Sequence, residues 1–343
     1  MYYKNNFLED IISTNQIFYY LNPNDNDMLS ELNGNDLQDL FILIDDYSLS
    51  LRKNLGFKNG ITFGFEIEVE NVKNFKHMSS LIHNNLVNWK ISDDISLNNG
   101  KEIISPILND KEIYWNKLKK ACDIIKKYAN IDTNSGGHIH IGTQVLGNNK
   151  DSWINFIKLW ATYENIIYRF SYGNSYEPRS RIENYASPLK TILLNDYKEI
   201  VNSNYSLEQI LKKISHKRSQ AVNFECVKDC NHILDKNTIE FRCPNGSIDP
   251  IIWQNNTSLF VNTLLYSKNS GFNNDIIEAR NKALDDEYND LKYYGKIYID
   301  QTLEFADMIF SNNLDKIYFL KQYLKSYNNI SNKSKYNKSL VKK

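Results

Sequence analysis

Three short segments of the chain alternate apolar side chains with ionisable ones. Residues 63–70 read FGFEIEVE, residues 136–142 read GGHIHIG, and residues 238–244 read TIEFRCP. Successive side chains of a strand point to opposite faces, so each segment predicts a strand with one apolar and one ionisable face. The apolar faces need a cover of helices. The ionisable faces carry seven side chains, namely Glu66, Glu68 and Glu70, His138 and His140, and Glu240 and Arg242.

The sequence around these strands predicts an α+β fold. Residues 87–108 alternate short apolar pieces with Asp, Asn and Gly, which indicates a hairpin. Helical spacing of apolar residues predicts helices at 111–129, 152–171, 207–214 and 314–327, and residues 220–227 resemble another strand. The apolar stripe of the first of these helices begins at Ile113. Strands separated by hairpins and by helices of unequal length favour an α+β sheet over a regular parallel βαβ array.

We expect a single large domain with helical additions at both ends. The 343 residues suffice for a substantial core, and no internal repeat or linker rich in Gly, Ser and Pro divides the chain. The C-terminal tail at 329–343 carries five lysines and no acid, which predicts disorder. The predicted limits are a helical N-terminal segment at 1–58, a central domain at 59–270, helices packed on that domain at 271–328, and the tail at 329–343.

The composition limits the classes of partner. Lys and Arg together number 41, as do Asp and Glu, so no net charge favours nucleic acid or an anionic membrane surface. The apolar runs are far shorter than the about 20 residues of a membrane span, and the N-terminus lacks a secretory signal. The four cysteines are too few for a disulfide framework. We expect a soluble, cytoplasmic protein that binds neither nucleic acid nor membrane, with its oligomeric state left open.

If the three alternating strands share one sheet, their ionisable faces form one polar surface. Such a set of carboxylates is costly to bury without a cation, because like charges repel. Oxygen ligands with few imidazoles suit Mg²⁺ or Mn²⁺ better than Zn²⁺. A metal ion and an arginine both bind phosphate oxygens. The pattern therefore predicts a nucleoside triphosphate site. Neither of the two common glycine-loop motifs for nucleotide binding occurs in the sequence.

Five segments in order resemble the amidoligases, which are carboxylate–amine ligases related to glutamine synthetase and glutamate–cysteine ligase. The segments are GFEIEVE, DDISLNNGKEIISPIL, NSGGHIHIG, RSRIENYASPL, and RSQAVNF leading to TIEFRCPNGSID, all between residues 61 and 270. The resemblance implies a glutamine synthetase-like antiparallel sheet with helices on its outer face. It also implies that the sheet curves around ATP and two or three Mg²⁺ or Mn²⁺ ions. The domain at 59–270 would then be catalytic.

The resemblance assigns roles to individual residues. The implied metal ligands are Glu66, Glu68, Glu102, His138 and Glu240. The residues implied to contact nucleotide or substrate are His140, Arg181, Arg218, Asn223 and Arg242, of which Arg242, Arg218 and His140 would also act in catalysis. Arg179 is so close to Arg181 in the sequence that either can be the matched arginine. The family often has Asp-Gly-Ser where this chain has Asp94-Ile95-Ser96, which leaves the role of Asp94 open.

The implied reaction is ATP-dependent amide formation in two steps. The γ-phosphate of ATP passes to a carboxylate of a small molecule or peptide, and an amine then attacks the acyl phosphate. The products are an amide, ADP and phosphate. A general base must accept the proton of the amine, and Asp94 and Glu70 are the candidates. The identities of the acid and the amine stay open.

Other interpretations of the same residues remain. A degenerate ligase fold could serve as a binding module, although a scaffold has no need of a charged interior. A metal-dependent phosphotransferase on the related fold would form ADP and a stable phosphorylated product but no amide. The His138-x-His140 pair also occurs in metal-dependent oxygenases, but no carboxylate follows it before Asp151. A zinc site could use Cys226, Cys230, His232 and Cys243.

Overall fold

The computed structural model describes most of the chain, in two compact units. One unit spans Leu51–Gly295, and the other combines Met1–Ser50 with Lys296–Lys343. The domain limits expected from the sequence stay predictions. The residues that the structure describes are 34–190, 199–200, 204–214, 218–227, 237–283, 291 and 294–325.

Seven strands of the described residues form one antiparallel sheet in the larger unit. In spatial order they are β2 (Lys90–Asp94), β3 (Gly100–Ile104), β1 (Thr62–Val69), β5 (Gly137–Gly142), β7 (Thr238–Phe241) and β6 (Val222–Asn223), with β4 (Leu108–Asn109) paired to β1. All the pairings between these strands are antiparallel. The α+β class, the hairpin at 87–108 and the three alternating strands are therefore confirmed.

The strand predicted at 220–227 is much shorter than expected. Only its residues 222 and 223 pair with β7, because the chain turns directly afterwards. The side-chain oxygen of Asn223 accepts a hydrogen bond from the N–H of Glu225 (3.0 Å), and the N–H of Val227 donates to the carbonyl of Phe224 (2.9 Å). These turn bonds occupy backbone groups that a longer strand would use for pairing.

Helices make up most of the remaining described chain, and all four predicted from apolar spacing are confirmed. No helix in this part of the chain is both long and apolar enough to cross a membrane. The helices are α1 (Gly34–Asp46), α2 (Phe75–Asn85), α3 (Glu112–Tyr128), α4 (Lys150–Ser171), α5 (Ile182–Tyr185), α6 (Leu207–Ile214), α7 (Pro250–Ser267), α8 (Asn274–Ala283), α9 (Ile299–Ile309) and α10 (Asn313–Leu324).

Aromatic side chains join three helices to the apolar face of the sheet. Phe63 in β1 stacks on Trp115 in α3 with 5.0 Å between ring centroids, and Phe241 in β7 stacks on Phe260 in α7 at 4.3 Å. The ring of Trp160 in α4 lies 5.5 Å from Phe241. Burial of each such side chain contributes about 2–3 kcal/mol. Helices therefore cover this face as expected, and polar side chains project from the opposite face.

The buried stripe of α3 differs from the prediction at one residue. The sequence pattern places Ile113 on the stripe, whereas its side chain is 59% exposed. Trp115 lies three and seven positions before Leu118 and Cys122, so it shares their side of the helix and is buried. Ile113 lies five and nine positions before them and therefore projects from the other side.

The described part of the smaller unit consists of α1, α9 and α10. The ring of Tyr47 lies 6.4 Å from that of Tyr318 in α10, whose hydroxyl donates to the carbonyl of Ser50 (2.8 Å). Phe305 in α9 and Phe319 in α10 pack edge to face at 6.0 Å. These helices confirm the predicted helical additions near both ends. Residues 1–33 and the predicted tail at 329–343 lie outside the described residues.

Candidate active site

The register of the sheet gathers ionisable side chains on the face opposite the aromatic core. Residues directly opposite each other in antiparallel strands project to the same face, with Cβ atoms about 5 Å apart. Four such pairs line this face: Glu68 with Glu102, Glu66 with His138, His140 with Glu240, and Glu240 with Asn223. We call six of these residues the acidic cluster, namely Glu66, Glu68, Glu102, His138, His140 and Glu240.

Glu66 contacts both histidines of the acidic cluster. His138 Nδ1 is 2.9 Å from Glu66 Oε2, and His140 Nε2 is 3.0 Å from Glu66 Oε1. His138 also lies 3.2 Å from Glu68 and 3.5 Å from Glu240, and its side chain is only 4% exposed. The imidazole of His138 is therefore in contact with three carboxylates.

These contacts shift the pKa values of Glu66 and His138 in opposite directions. Burial and the charge of Arg242 lower the pKa of His138, but its hydrogen bonds to Glu66 and Glu68 outweigh them and raise the pKa to about 9. Burial raises the pKa of Glu66, yet the hydrogen bonds from both histidines bring it far below its usual value. In this arrangement His138 is a cation at neutral pH and neutralises part of the carboxylate charge.

The positive charge of His138 does not fully compensate the negative charge around Glu102. Its Oε2 accepts a hydrogen bond from the hydroxyl of Ser92 at 3.2 Å. Burial and the negative charge of Glu66 raise the pKa of Glu102 to about 7. A sizeable share of these side chains therefore carries a proton at neutral pH, where an ordinary glutamate carries almost none. A divalent cation between Glu102 and Glu66 would remove the repulsion between them.

Two groups of side chains in the described part of the chain can hold a metal ion. One group is Glu66, Glu102 and His138, the other is Glu66, His140 and Glu240, and the ligand atoms of each group lie within 4.8 Å of one another. The Nε2 atoms of both histidines are buried, each with a carboxylate oxygen 3.0–3.2 Å away. Two carboxylates and one imidazole suit Mg²⁺ or Mn²⁺. The residues therefore fit two metal ions that share Glu66.

Two buried arginines border the acidic cluster. Arg242 Nη1 donates to Glu240 Oε1 (2.5 Å), and Arg242 Nε donates to the carbonyl of Tyr185 (3.2 Å). Arg179 Nη1 lies 3.4 Å from Glu68 Oε2, and Arg179 Nη2 donates to the carbonyl of Arg242 (3.1 Å). Each guanidinium is held at two atoms, so both have a fixed orientation beside the carboxylates.

Glu240 is oriented by neighbours on both of its oxygens. Asn223 Nδ2 donates to Glu240 Oε2 at 2.7 Å, while Arg242 occupies Oε1. Burial raises the pKa of Glu240, but the charges of His138 and Arg242 bring it below its usual value. Glu240 is therefore a carboxylate at neutral pH, which a metal ligand must be.

Gly136 permits the close approach of Arg179 to Glu68. A Cβ atom at this position would lie 1.2 Å from Arg179 Nη1 and 2.9 Å from Glu68 Oε2. The N–H of Gly136 itself donates to Glu68 Oε2 at 2.5 Å. Burial raises the pKa of Glu68, but His138 and Arg179 bring it to about 2. Glu68 thus binds a backbone group and an arginine, and its role as a metal ligand stays a prediction.

Two predicted site residues lie outside the acidic cluster. Arg181 is exposed, with its guanidinium carbon 5.9 Å from the ring centroid of Tyr185, and Arg218 is exposed in the turn before β6. Among the described residues, no hydrogen bond or ion pair joins either arginine to a carboxylate of the cluster. Of the two arginines that the motif left open, the structure places Arg179 beside Glu68. The roles of Arg181 and Arg218 in binding stay predictions.

The two candidates for a general base are engaged in hydrogen bonds that stabilise loops. Glu70 is 1% exposed and accepts from the N–H of Asn98 (3.0 Å) and the hydroxyl of Ser135 (3.4 Å). Asp94 accepts from the N–H and the hydroxyl of Ser96 at 2.8 and 2.6 Å. Their role as a base is still a prediction.

Two residues that fix the arginines were not predicted from the sequence. The side-chain oxygen of Asn245 accepts from the N–H of Arg179 (2.8 Å), and the carbonyl of Tyr185 accepts from Arg242. Asn245 lies in the turn-forming sequence Pro-Asn-Gly, which is a usable signal. Tyr185 acts through its backbone carbonyl, so its side-chain type carries no such signal.

The alternative zinc site lies partly outside the described residues, which do not include Cys230 and His232. Cys243 is buried, and its sulfur lies 3.5 Å from the hydroxyl oxygen of Ser171. Burial raises the pKa of the Cys243 thiol to about 12. Because zinc binds the thiolate, this side chain is poorly suited as a zinc ligand.

The chain is similar to a known protein family. A family model described as putative amidoligase enzyme matches residues 32–263. The match covers more than half of the chain and includes all seven strands and every residue of the acidic cluster. Comparison with curated proteins found no match.

Proposed function

We propose that this chain, which belongs to the putative amidoligase enzyme family, is an ATP-dependent carboxylate–amine ligase. The observation that carries the proposal is the acidic cluster, where two candidate metal groups share Glu66 beside two fixed arginines. The products would be an amide, ADP and phosphate, formed through an acyl phosphate. A glutamine synthetase-like curvature of the sheet around ATP is part of the same proposal.

The acidic cluster would hold two Mg²⁺ or Mn²⁺ ions. Glu66, Glu102 and His138 would hold one ion, and Glu66, His140 and Glu240 the other. When bound, the ions would neutralise the phosphate oxygens of ATP. His138 and Glu102 would have to release their protons to become ligands, because metal ions bind the deprotonated forms.

Arg242 is the residue best placed to bind the transferring phosphoryl group. Glu240 and the carbonyl of Tyr185 hold its Nη1 and Nε atoms, which fixes the plane of the guanidinium. A planar fork binds phosphate oxygens at two points, so a fixed plane also fixes the phosphate. Arg179 would support it, since its Nη2 donates to the Arg242 carbonyl.

The reaction would transfer the γ-phosphoryl group of ATP to a substrate carboxylate. A carboxylate oxygen forms the new P–O bond, the bond to the β-phosphate oxygen breaks, and ADP leaves. Alignment by Arg242 would contribute positioning and charge stabilisation, which are the main components of such catalysis. The nitrogen of the amine then attacks the acyl carbon, phosphate leaves, and the nitrogen loses a proton.

Thermal unfolding with ATP and Mg²⁺ tests the nucleotide site without knowledge of the acid or the amine. Ligand at 100 times its dissociation constant stabilises the folded protein by about 2.7 kcal/mol, a shift of several degrees. We expect a shift that needs both ATP and Mg²⁺ and disappears in Glu66→Gln. The control is Glu112→Gln, which removes an exposed carboxylate at the start of α3 and should keep the shift. The absence of a shift in the wild type, or its persistence in Glu66→Gln, would contradict the proposal.

A turnover assay separates the ligase from the alternatives. Candidate acids are incubated with ATP, Mg²⁺ and hydroxylamine as a stand-in amine, and ADP and hydroxamate are measured. A ligase forms both in equal amounts. ADP with a stable phosphorylated product and no hydroxamate would favour a phosphotransferase, and nucleotide binding without any turnover would favour a binding module.

A further inference from the structure

A buried glutamate in α4 is not used by the proposed mechanism. Glu164 is 1% exposed, and its carboxylate accepts hydrogen bonds from Trp160 Nε1 (2.7 Å), the N–H of Leu189 (2.6 Å) and the N–H of Lys190 (2.9 Å). The hydroxyl of Tyr294 lies 3.3 Å from it. Two of these donors belong to the backbone that follows α5, so Glu164 ties that backbone to α4.

We call residues 185–190 the support segment. Tyr168, one turn further along α4, donates its hydroxyl to the carbonyl of Ala186 at 2.5 Å. Glu164 and Tyr168 therefore hold both ends of the support segment against the same helix.

The support segment in turn holds Arg242 at two independent points. The carbonyl of Tyr185 accepts from Arg242 Nε (3.2 Å), as described for the site. The carbonyl of Ser187 accepts from the N–H of Ala221 (2.8 Å), and the carbonyl of Ala221 accepts from the N–H of Arg242 (2.8 Å). One point fixes the guanidinium, and the other fixes the backbone from which it projects.

Stability alone is a poor explanation for the carboxylate of Glu164. A buried carboxylate costs more than a neutral side chain of the same size, and burial raises the pKa of Glu164 to about 7. Its two oxygens nevertheless accept from two consecutive backbone N–H groups as well as an indole. A carboxylate, which is an acceptor only, suits this set of donors better than an amide.

We infer that Glu164 and Tyr168 are positioning residues, which set the orientation of Arg242 through the support segment. The inference rests on the proposed function for its consequence, since Arg242 is there the phosphate-binding arginine. Its geometric part, the hold on Arg242, can be tested without any nucleotide.

The test compares Glu164→Gln with a matched control, Asp110→Asn. Asp110 is also a carboxylate that accepts from two backbone N–H groups, of Leu55 (2.7 Å) and Phe57 (2.9 Å), and from an indole, Trp115 Nε1 (2.8 Å). It holds a loop that gives no hydrogen bond to Arg242. Both substitutions replace a carboxylate by an amide in the same kind of network. Tyr168→Phe is the second test variant, because it keeps the ring and removes only the hydroxyl.

The first readout is hydrogen exchange of the Arg242 Nε–H in the NMR spectrum, assigned by its loss in Arg242→Lys. We expect exchange at least tenfold faster in Glu164→Gln and Tyr168→Phe, and no change in Asp110→Asn. The second readout is the affinity for ATP with Mg²⁺, which should fall about tenfold in the two test variants, as for a loss of 1.4 kcal/mol. If Glu164 and Tyr168 had a purely structural role, the control and the test variants would show the same Nε–H exchange and the same affinity.

The outcomes distinguish the inference from the function on which it rests. Unchanged Nε–H exchange in Tyr168→Phe and Glu164→Gln overturns the inference. Faster exchange with unchanged nucleotide affinity also overturns it, because the hold on Arg242 would then serve no binding. If the wild type itself fails to bind ATP with Mg²⁺, the proposed function fails, while faster exchange in the test variants still supports the hold on Arg242.

Discussion

Replacing Gly136 by Ala should break the contact between Arg179 and Glu68. The new Cβ would lie 1.2 Å from Arg179 Nη1, so the guanidinium must move, and its burial leaves it no exit to solvent. Breaking a buried ion pair costs about 3–5 kcal/mol. Two effects reduce this loss. Glu68 would keep its contact with His138. Ala also loses less backbone entropy on folding than Gly, by about 0.5 kcal/mol. We therefore expect a loss near the lower limit, about 3 kcal/mol in the free energy of unfolding.

Urea unfolding of a double-mutant cycle measures this contact. The cycle combines Gly136→Ala with Arg179→Ala, which removes the atom that the new Cβ meets. In the Arg179→Ala background only the 2.9 Å contact of the new Cβ with Glu68 Oε2 remains, so Gly136→Ala should cost clearly less than in the wild type. The coupling energy should then be about 2 kcal/mol. The control is Gly271→Ala, where the nearest atom to a new Cβ is 3.6 Å away. Additive costs in the cycle, or a Gly136→Ala variant as stable as the control, would refute the reasoning.

Three further predictions concern charge and orientation. Arg242→Lys should lower the affinity for ATP with Mg²⁺, measured by calorimetry, at least tenfold, because one ammonium cannot replace both Nη1 and Nε. An unchanged affinity would remove Arg242 from the phosphate site. Glu164 has a folded-state pKa raised to about 7, so its contribution to stability is fully present below its unfolded pKa near 4.5 and is lost as the pH rises through 7. Between pH 5 and pH 8 the free energy of unfolding of the wild type, measured with urea, should thus fall by about 2.5 kcal/mol more than that of Glu164→Gln. Parallel pH profiles of the two unfolding free energies would contradict this. Mg²⁺ binding at pH 7 should release more than one proton per chain, from His138 and from the protonated share of Glu102, measured by calorimetry in buffers of different ionisation enthalpy. Glu102→Gln should lower this release, and equal release in both proteins would contradict the assignment of Glu102.

Alternation in the sequence was sufficient to predict the strands of the site and the faces of their side chains. Glu66, His138 and Glu240 lie where a period of two places them, because each strand has aromatic or aliphatic neighbours that must face the helices. The pairing of Glu68 with Glu102 follows from the register between β1 and β3, which the alternation of one strand alone does not determine.

Residues in loops could not be placed in the same way. Arg179 and Arg181 differ by two positions in a segment without periodicity, and Arg181 adopts a left-handed backbone (φ 53°) that no pattern predicts for arginine. For Glu164 a signal did exist. It is a single acid within the apolar stretch of α4, where nearly every neighbour is buried, and an acid in such a helix needs partners.

The charges of the site explain how an acidic face could bind a polyanion. Four carboxylates of the acidic cluster meet two guanidinium groups and the imidazolium of His138, which leaves about one negative charge without compensation, as the raised pKa of Glu102 reflects. Such a face repels ATP. Two divalent ions, bound with loss of the protons on His138 and Glu102, would reverse the sign of the site and attract the triphosphate. We therefore expect metal ions to bind before ATP or with it. Equal stabilisation of the protein by ATP alone and by ATP with Mg²⁺ would refute this order.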